Sequence, residues 1–586
     1  MSKWKVAACA AILVMAGVAS SMVRADSGAA GKGREEVTHS FDRTLPLPKG
    51  QSLRLEHKFG DISVKTHSSR DVHIVATIHV SASSQQEAES YASQIQIHIE
   101  PSSSGLLVRT DYPDQSSGVF RHRNFSFSVE YEIEMPEDAP LTVRSSFGSV
   151  SVAGLKAATD IDNKQGSVTV HDGRGLQLLR DAFGNIELIG NDGDADLGTT
   201  NGSVNVSGVQ GSLTVHDRFG GVKAYNIGRG ASIANNNGSV ELHTAGATSS
   251  VTNSFGSVQV SDITGDLTVR NQNGSVDVSN ISGTADLGTS FASITFLNIK
   301  QKLICRSQNG HIQGSGVGAS ASVHTSFGSI DVHDIGGQLD AEDGNAKITV
   351  RDVRGPAELR TTNGSIDASG IHGDATVSTS MGSVLLSQVE GTIEVHSSFG
   401  KIELSDTRHG VKIVTSNDSV SLRDIGGEAY VKTSFGLVHA ENIAGSLTVE
   451  NANGSVKAAT IHGFANVRTS FGSVSLSGID GSVDVGNQNG TVEVGGVAQK
   501  SAGSNCNHIN IETSFGPIRV YVPATANYDL SARTSFGRVS SELPYTSTGI
   551  LSGDSLSGKI NAGGCQLQLN DNNGNVEILK GDSVRH

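Results

Sequence analysis

The pattern of apolar and polar positions repeats with a constant period through the middle of the chain. In residues 253–278, NSFGSVQVSDITGDLTVRNQNGSVDV, the motif Phe-Gly-Ser-Val is followed 18 residues later by Asn-Gly-Ser-Val. We number each repeat from the residue before this glycine, which is position 0. Apolar residues then recur at +3 and +5, at +8, and at +12 and +14, as in Val258, Val260, Ile263, Leu267 and Val269. Alternation over two residues is typical of a strand with one buried face, so each repeat predicts two short strands.

Position 0 can be followed along the chain without an insertion. Its occupants are Phe147, Gln165, Phe183, Asn201, Phe219, Asn237, Phe255, Asn273, Phe291, Asn309, Phe327, Asn345, Asn363, Met381, Phe399, Asn417, Phe435, Asn453, Phe471 and Asn489. Two strands of about five residues cannot bury an apolar face alone, so the repeats must stack and share one core. The sequence therefore predicts an all-β fold, a parallel β-solenoid (β-helix) with a repeat of about 18 residues.

Position 0 alternates between a large aromatic ring and a small amide. Counting every second residue forward from Leu267 and Val269 leads through Asn271 to Asn273, so we expect position 0 to face inward. Counting backward from +3 gives the opposite face, but the glycine at +1 can turn the chain between them. The expected structural ladder comprises Phe183, Phe219, Phe255, Phe291 and Phe327, with Asn201, Asn237, Asn273 and Asn309 between them.

Two coil sizes are compatible with this alternation. A coil made of one repeat places Phe and Asn alternately along one edge, whereas a coil made of two repeats stacks Phe on Phe. The similar strands at +3/+5 and +12/+14 already close a two-sided coil, which favours one repeat per coil. Nineteen stacked intervals of about 4.8 Å would give a rod of about 90 Å.

The two ends of the chain depart from the repeat. Lys3 and Lys5, an apolar run over residues 6–19 and the small-x-small motif ending at Ala25 are typical of an export signal. The run is too short to span a membrane and no later stretch is long enough, so we expect no transmembrane span in the mature chain. We expect an exported bacterial protein, located in the periplasm, at the cell surface or outside the cell. The predicted regions are a signal peptide (1–25), an N-terminal β-rich capping region with one short helix (26–146), the regular solenoid (147–500), and irregular C-terminal coils with a cap (501–586).

Three cysteines follow the predicted cleavage site. Cys305 occupies a position that elsewhere holds Val or Leu, which predicts a small buried side chain. Cys506 and Cys565 lie about three repeats apart, a distance of roughly 14 Å at about 4.8 Å per strand. A disulfide needs a much shorter separation between Cα atoms, so we do not expect these two residues to pair.

The flanks of the array resemble a known family. The stretches that carry the resemblance are FGDISVKTHSSRDVHIVATIHV (59–80), VEYEIEMPEDAPLTVRSSFGSVSVAG (129–154) and VYVPATANYDLSARTSFGRVSSELP (520–544). Together with the repeats, they are similar to the bacterial adhesin-like β-strand-repeat proteins catalogued as domain of unknown function 4097. The resemblance covers residues 51–546 and implies a non-enzymatic protein associated with the cell envelope. The resemblance implies no catalytic residues at any position of this chain.

One charged pattern recurs on the outside of the predicted rod. Position +15 is often cationic, and its Lys and Arg members define a candidate polyanion-binding stripe: Arg180, Arg270, Arg306, Arg360, Lys432 and Arg468. Acidic residues recur at +13 on the same face, among them Asp196, Asp286 and Glu358. The two rows therefore allow a second interpretation, an exposed ladder of ion pairs that contributes little energy per pair.

Composition and motif spacing reduce the number of function classes that the sequence allows. The formal net charge of the chain is −15, which excludes a general nucleic-acid-binding role. The histidines and acids show no metal-ligand spacing and no catalytic cluster, so we expect neither a cofactor nor an enzyme. The sequence favours an exported envelope or surface scaffold, adhesin-like, that binds envelope glycans, other surface polymers or proteins along its side. The alternatives are a carbohydrate-active β-helix enzyme and an envelope-stress or regulatory module.

Overall fold

The structure is a computed structural model that describes residues 34–113, 125–500, 506–547, 552–582 and residue 584. The predicted signal peptide lies outside these residues. Within them, no helix has the length and apolar content needed to cross a membrane.

Each repeat of the sequence forms one complete coil. Val258 pairs with Val276 and Val260 with Val278 in parallel register. The second strand of the same repeat pairs with its counterpart in the next repeat, with Leu267 opposite Ala285. The prediction of a parallel β-solenoid is confirmed, and each coil contains one repeat rather than two.

The strands and the helix have the following bounds. The N-terminal elements are β1 Glu35–Pro46, β2 Ser52–Glu56, β3 Ile62–His67, β4 Asp71–Ala82, α1 Gln85–Ala92, β5 Gln96–Ser102, β6 Gly105–Asp111, β7 Ser126–Pro136 and β8 Leu141–Arg144. The repeats contain β9 Val150–Ala153, β10 Thr159–Asn163, β11 Val168–Arg174, β12 Gln177–Asp181, β13 Ile186–Asp192, β14 Ala195–Thr199, β15 Val204–Val209, β16 Leu213–His216, β17 Val222–Ile227, β18 Ala231–Ala234, β19 Val240–Ala245, β20 Ser249–Asn253, β21 Val258–Ile263, β22 Leu267–Asn271, β23 Val276–Ile281, β24 Ala285–Gly288, β25 Ile294–Ile299, β26 Leu303–Arg306, β27 Ile312–Val317, β28 Ala321–Thr325, β29 Ile330–Ile335, β30 Leu339–Asp343, β31 Ile348–Val353, β32 Ala357–Thr361, β33 Ile366–Ile371, β34 Ala375–Met381, β35 Val384–Val389, β36 Ile393–Phe399, β37 Ile402–Thr407, β38 Val411–Val414, β39 Val420–Ile425, β40 Ala429–Phe435, β41 Val438–Ile443, β42 Leu447–Asn453, β43 Val456–Ile461, β44 Ala465–Phe471, β45 Val474–Ile479, β46 Val483–Asn489 and β47 Val492–Val497. The C-terminal strands are β48 Ile509–Phe515, β49 Ile518–Val522, β50 Tyr528–Thr534, β51 Val539–Ser541, β52 Tyr545–Ser547, β53 Ser555–Ile560, β54 Cys565–Asn573 and β55 Val576–Lys580.

The strands form two long sheets that face each other across one core. From β9 to β49 the odd-numbered strands follow one another in the first sheet, and the even-numbered strands from β8 to β48 form the second. The five apolar positions of the repeat fill the space between the sheets. Val258, Ile263 and Leu267, for example, are at most 1% exposed. The core positions predicted from the sequence are therefore confirmed.

The glycine at +1 allows successive coils to approach closely at one corner. Gly256 has a φ of +107°, a conformation that favours residues without a Cβ atom. A Cβ atom on Gly274 would lie only 1.7 Å from the carbonyl oxygen of Gly256 in the coil before it. Glycine at +1 therefore favours the stacking as well as the turn, although Ala292, Ala346 and Asp418 take its place in three coils.

The other corner contains a left-handed residue at +7. Asp262, Asn280 and Asn298 have φ values of +61°, +58° and +57°. In the pairing of β21 with β23, Ser261 and Ile263 have partners and Asp262 is skipped. Because this extra residue shifts the alternation by one, +8 faces inward after +3 and +5. Asn and Asp adopt this conformation more readily than other non-glycine residues, which explains their recurrence here.

The N-terminal region caps the first sheet. β4 runs antiparallel between β1 and β7, and β7 joins the sheet through β3. The single helix of the described residues, α1, begins after Ser84, whose hydroxyl accepts a hydrogen bond from the backbone N–H of Glu87. Its Tyr91 is fully buried. The short N-terminal helix predicted from the sequence is confirmed.

In the C-terminal region the order of strands in the sheet differs from their order along the chain. In the second sheet β54 lies between β48 and β50, although it follows both in sequence. This insertion brings Cys506 and Cys565 together in a disulfide, with a Cα–Cα distance of 5.2 Å. The expectation that they are too far apart is wrong, because three repeats of sequence here correspond to neighbouring strands. Cys305 is free and buried, as expected.

Candidate ligand-binding surface

The side chains at position 0 point outward, so the inward orientation expected for the ladder is wrong. The Phe members, Phe183, Phe219, Phe255, Phe291 and Phe327, are 53–64% exposed. Of the Asn members, Asn201, Asn273 and Asn309 are exposed and Asn237 is half-buried. These residues still align from coil to coil, as the bridge between Asn237 and Phe255 shows. The ladder exists, but it lies on the surface.

The inward position of this corner is −2. Alternation from Leu267 and Val269 continues as far as Asn271, which is 4% exposed, and stops there because the chain turns. Asn271 donates a hydrogen bond from Nδ2 to the carbonyl oxygen of Gly256 in the preceding coil, at 2.9 Å. Asn, Asp, Thr or Ser fill this position in the coils of the array, so a recurring small polar residue was the available sequence signal.

Three residues at −2 are aspartates, and burial disfavours the charged form of their carboxyl groups. Burial raises the pKa of Asp181 to about 6. The same cause raises the pKa values of Asp217 and Asp343. The backbone N–H of Phe183 donates to Asp181 Oδ1 at 3.1 Å, which favours the charged form only partly. These carboxyl groups belong to the interior of the corner and not to its ligand-accessible side.

The exposed rings at position 0 and at its C-terminal equivalents form one line, which we call the aromatic row: Phe147, Phe183, Phe219, Phe255, Phe291, Phe327, Phe399, Phe435, Phe471, Phe515 and Phe536. They occupy every second coil, except that Asn363 replaces one ring. The intervening coils carry Gln165, Asn residues or, once, Met381. At about 4.8 Å per coil, neighbouring rings are about 10 Å apart and the row is about 100 Å long.

A groove runs beside part of the aromatic row. It has a volume of about 680 Å³ and is lined by residues at −3, −2 and −1, including Arg270, Gln272, Arg306, Gln308 and Ser326. The residue at −1 directly precedes each member of the row, so the groove and the row are adjacent surfaces. Together they present rings, amides, hydroxyl groups and charged side chains along one edge of the rod, with Arg270 and Arg306 paired to Asp286.

The cations of the candidate polyanion-binding stripe contact acidic groups or backbone carbonyls. Arg180 pairs with Asp196 at 2.8 Å and Lys432 with Glu450 at 3.0 Å. The remaining members behave similarly: Arg270 and Arg306 pair with Asp286, Arg360 pairs with Glu358, and Arg468 donates to the carbonyl oxygen of Asp484. This arrangement is what the ion-pair interpretation expects. Binding of a polyanion by the stripe stays a prediction.

A second groove, of about 1310 Å³, follows the left-handed corner. Asp262, Asn280 and Asp334 line it from +7, and Lys300 and Arg354 line it from +9. Both charges occur along its length, and Asn280 donates to Asp262 Oδ1 at 2.9 Å. Part of its polar surface is therefore already engaged within the protein.

The N-terminal cap contains a buried polar cluster. His57 is 4% exposed and contacts Thr110, which hydrogen bonds to the hydroxyl of Tyr131 at 2.6 Å. Burial lowers the pKa of His57 to about 4. The cluster lies inside the cap and opens to no described groove. Across the residues that the structure describes, no three His, Cys, Asp or Glu side chains are grouped to hold a metal ion.

Comparisons with known proteins identify no family. No family model matches the chain, and no curated protein is significantly similar to it in sequence. One solved structure, described as a "putative cell adhesion protein" from Clostridium sporogenes, matches 32% of this chain and 99% of its own, with 12% identity and a TM-score of 0.18. A likeness of this extent carries no argument about function. The resemblance to domain of unknown function 4097 stays a prediction.

Proposed function

We propose that the protein is an exported, non-enzymatic scaffold of the bacterial envelope or surface that binds, in an adhesin-like manner, along its side. The observation that carries the proposal is the aromatic row, an exposed and regular set of rings about 100 Å long at about 4.8 Å per coil. Large exposed apolar surfaces on soluble proteins commonly mark interaction sites. A surface of this length fits an extended partner better than a small molecule in a pocket.

Two further observations support export. The N-terminal stretch, residues 1–25, has the composition of a signal peptide. The disulfide between Cys506 and Cys565 is of a kind that persists in oxidising compartments and is rare in the cytosol. Envelope glycans, other surface polymers or surface proteins are the partner classes that a rod in this location would meet.

The proposal is tested by co-sedimentation of the purified chain from residue 26 with bacterial envelope fractions, alongside fractionation of the producing cells. We expect recovery outside the cytoplasm and retention on at least one envelope fraction. A chain that stays in the cytoplasm, or that no envelope fraction retains, would contradict the proposal.

The same assay assigns the surface. Charge reversal at Arg270, Arg306, Arg360, Lys432 and Arg468 abolishes retention if the cationic stripe binds the partner. Unchanged retention by this variant excludes the stripe as the binding surface and favours the aromatic row. Because all five side chains are solvent-exposed, the variant is expected to keep the fold.

A further inference from the structure

The alternation along the aromatic row is a property of the folded molecule and not only of the sequence. In chain order Phe515 is followed by Phe536 and then by Asn573. In the structure Asn573 pairs with Phe515, and the strand of Asn573 is in turn paired with the strand before Phe536. The backbone N–H of Phe536 donates to the carbonyl oxygen of Asn572 at 2.9 Å. The spatial order is therefore ring, amide, ring, although the chain order is not.

Coil geometry does not require this alternation. At the N-terminal end Phe59 stacks on Phe147 in the next coil, with ring centroids 5.2 Å apart and an angle of 8° between the planes. Met381 and Phe399 also occupy neighbouring coils. Since the corner accepts large side chains in successive coils, packing does not explain why rings are separated by amides elsewhere.

The amides between the rings are held in place. Asn273 donates from Nδ2 to the carbonyl oxygen of Ser254 at 3.1 Å, and Asn309 and Asn345 make the equivalent bond at 3.3 Å and 3.0 Å. Each acceptor lies in the preceding coil, next to a ring. An amide has two N–H groups and a carbonyl oxygen, so this bond leaves one N–H for a ligand and, except in Asn345, whose oxygen accepts from Asn363 at 2.8 Å, the carbonyl oxygen as well. A fixed amide binds with a smaller entropy cost than a free one.

From this geometry we propose that the aromatic row binds an extended, neutral β-1,4-linked polysaccharide lying parallel to the rod. The inference rests on the proposed function and specifies its ligand class. The row repeats every two coils, about 10 Å at about 4.8 Å per coil. An extended β-1,4-linked glycan repeats every two sugars, over a similar length. One sugar of each pair stacks its C–H face on a ring, and the other offers hydroxyl groups to the amide.

The surroundings favour a glycan over a second copy of this chain. Between two rings lie Ser and Gln side chains and an amide, as at Ser254, Gln272 and Asn273. A protein surface closing over them would have to remove water from unpaired polar groups, whereas sugar hydroxyls can hydrogen bond to them. The net charge of −15 also disfavours side-by-side association of copies and of polyanionic chains.

The test replaces the rings by the residue that alternates with them. In the full mature chain, Phe219→Asn, Phe255→Asn, Phe291→Asn and Phe327→Asn are combined. The variant should fold, because Asn occupies the same position in neighbouring coils. The matched control combines Leu297→Ser and Leu385→Ser, two exposed leucines outside the row.

The probes are β-1,4-linked glucose and N-acetylglucosamine hexasaccharides, their disaccharides, and a β-1,3-linked glucose hexasaccharide, measured by isothermal titration calorimetry. We expect the wild type and the leucine control to bind the β-1,4 hexasaccharides more tightly than the disaccharides, because a longer chain reaches several rings. The Phe→Asn variant should lose about ten-fold or more in affinity. Equal binding of the β-1,3 glycan, or unchanged affinity of the Phe→Asn variant, would overturn the inference.

Sedimentation equilibrium of the same proteins tests the competing occupant of the row, a second copy of this chain. A wild type that dimerises and a Phe→Asn variant that is monomeric would show that the row pairs two copies, and would overturn the glycan inference. Envelope retention without any oligosaccharide binding would overturn this inference and leave the proposed function standing. Oligosaccharide binding without envelope retention would overturn the proposed function and leave the glycan inference standing.

Discussion

At the scale of single residues, one small side chain per coil closes the corner from inside. Position −2 is polar and buried, and its Asn members donate to a backbone carbonyl of the preceding coil, as Asn253 does to Gly238 at 3.1 Å. A buried backbone carbonyl without a donor is costly. An aspartate at this position accepts hydrogen bonds from backbone N–H groups instead, and the removal of its carboxylate from water raises its pKa.

This interpretation predicts the effect of Asp181→Asn. The folded-state pKa of Asp181 is raised from 3.8 to about 6. Above pH 6 the carboxylate is charged in both states and its burial cost is fully present, whereas between pH 6 and 4 the folded state takes up the proton first and gains stability. The variant should therefore be more stable than the wild type at pH 8, by at most about 3 kcal/mol, and similar to it at pH 4.

Urea unfolding at pH 8 and pH 4, with hydrogen exchange of the neighbouring coils, measures this difference. Asn163→Asp is the reciprocal variant and should lose stability at pH 8. A difference between Asp181→Asn and the wild type that does not change with pH would show that the carboxyl group is not buried as a charge.

At the scale of structural elements, the ends of the rod are protected differently from its middle. Each inner strand is paired on both sides, but a terminal strand would leave an unpaired edge. At the N-terminal end, antiparallel strands and α1 extend and cover the first sheet. At the C-terminal end, antiparallel β53 and β52 follow β50 in the second sheet, and the disulfide ties β54 to the segment before β48.

We predict that the disulfide stabilises the C-terminal coils. Cys506→Ser and Cys565→Ser should each lower the free energy of unfolding of this end by about 2–4 kcal/mol. Cys305→Val is the control, since Cys305 is buried and unpaired at a position where other repeats carry Val, and it should change stability little. Thermal unfolding with and without reductant, together with a thiol count in the denatured chain from residue 26, measures this. Three free thiols in the unreduced protein would contradict the pairing.

At the scale of the whole molecule, the array behaves as a line of units that contact mainly their neighbours. Deleting residues 256–273 removes one coil, and deleting residues 256–291 removes two. We expect both proteins to fold, because the sheets remain in register. Deleting residues 256–264 removes half a coil, places strands of one sheet against the other, and should unfold the adjacent coils.

Circular dichroism and limited proteolysis distinguish these three proteins. The deletions also distinguish the folding of the rod from the arrangement of rings in its aromatic row. Removing one coil places two rings of the aromatic row in successive coils, whereas removing two coils keeps the ring–amide alternation. A half-coil deletion that unfolds no more readily than the one-coil deletion would contradict the assignment of one repeat to each coil.

The sequence alone determined the repeating parts of this protein. The spacing of Val258, Val260 and their counterparts established the strands, the inward positions and the stacking, because a short-range alternation repeated many times leaves one way to bury its apolar face. The same pattern favoured one repeat per coil over two, and the strand pairing of the structure confirms it. The polar residue at −2 and the left-handed residue at +7 also left sequence signals, in recurring small polar side chains and in recurring Asn, Asp and Gly.

Only the tertiary structure decided what happens where the backbone turns or the chain order changes. The direction of Phe255 depends on which residue the corner turns at, and the glycine at +1 permits either solution, so counting alternate residues gave the wrong face. The contact between Cys506 and Cys565 depends on β54 entering the sheet between strands that precede it in sequence. Local periodicity specifies the stacking of equivalent strands, but a glycine corner and a long-range strand insertion are settled by the packing of the whole chain.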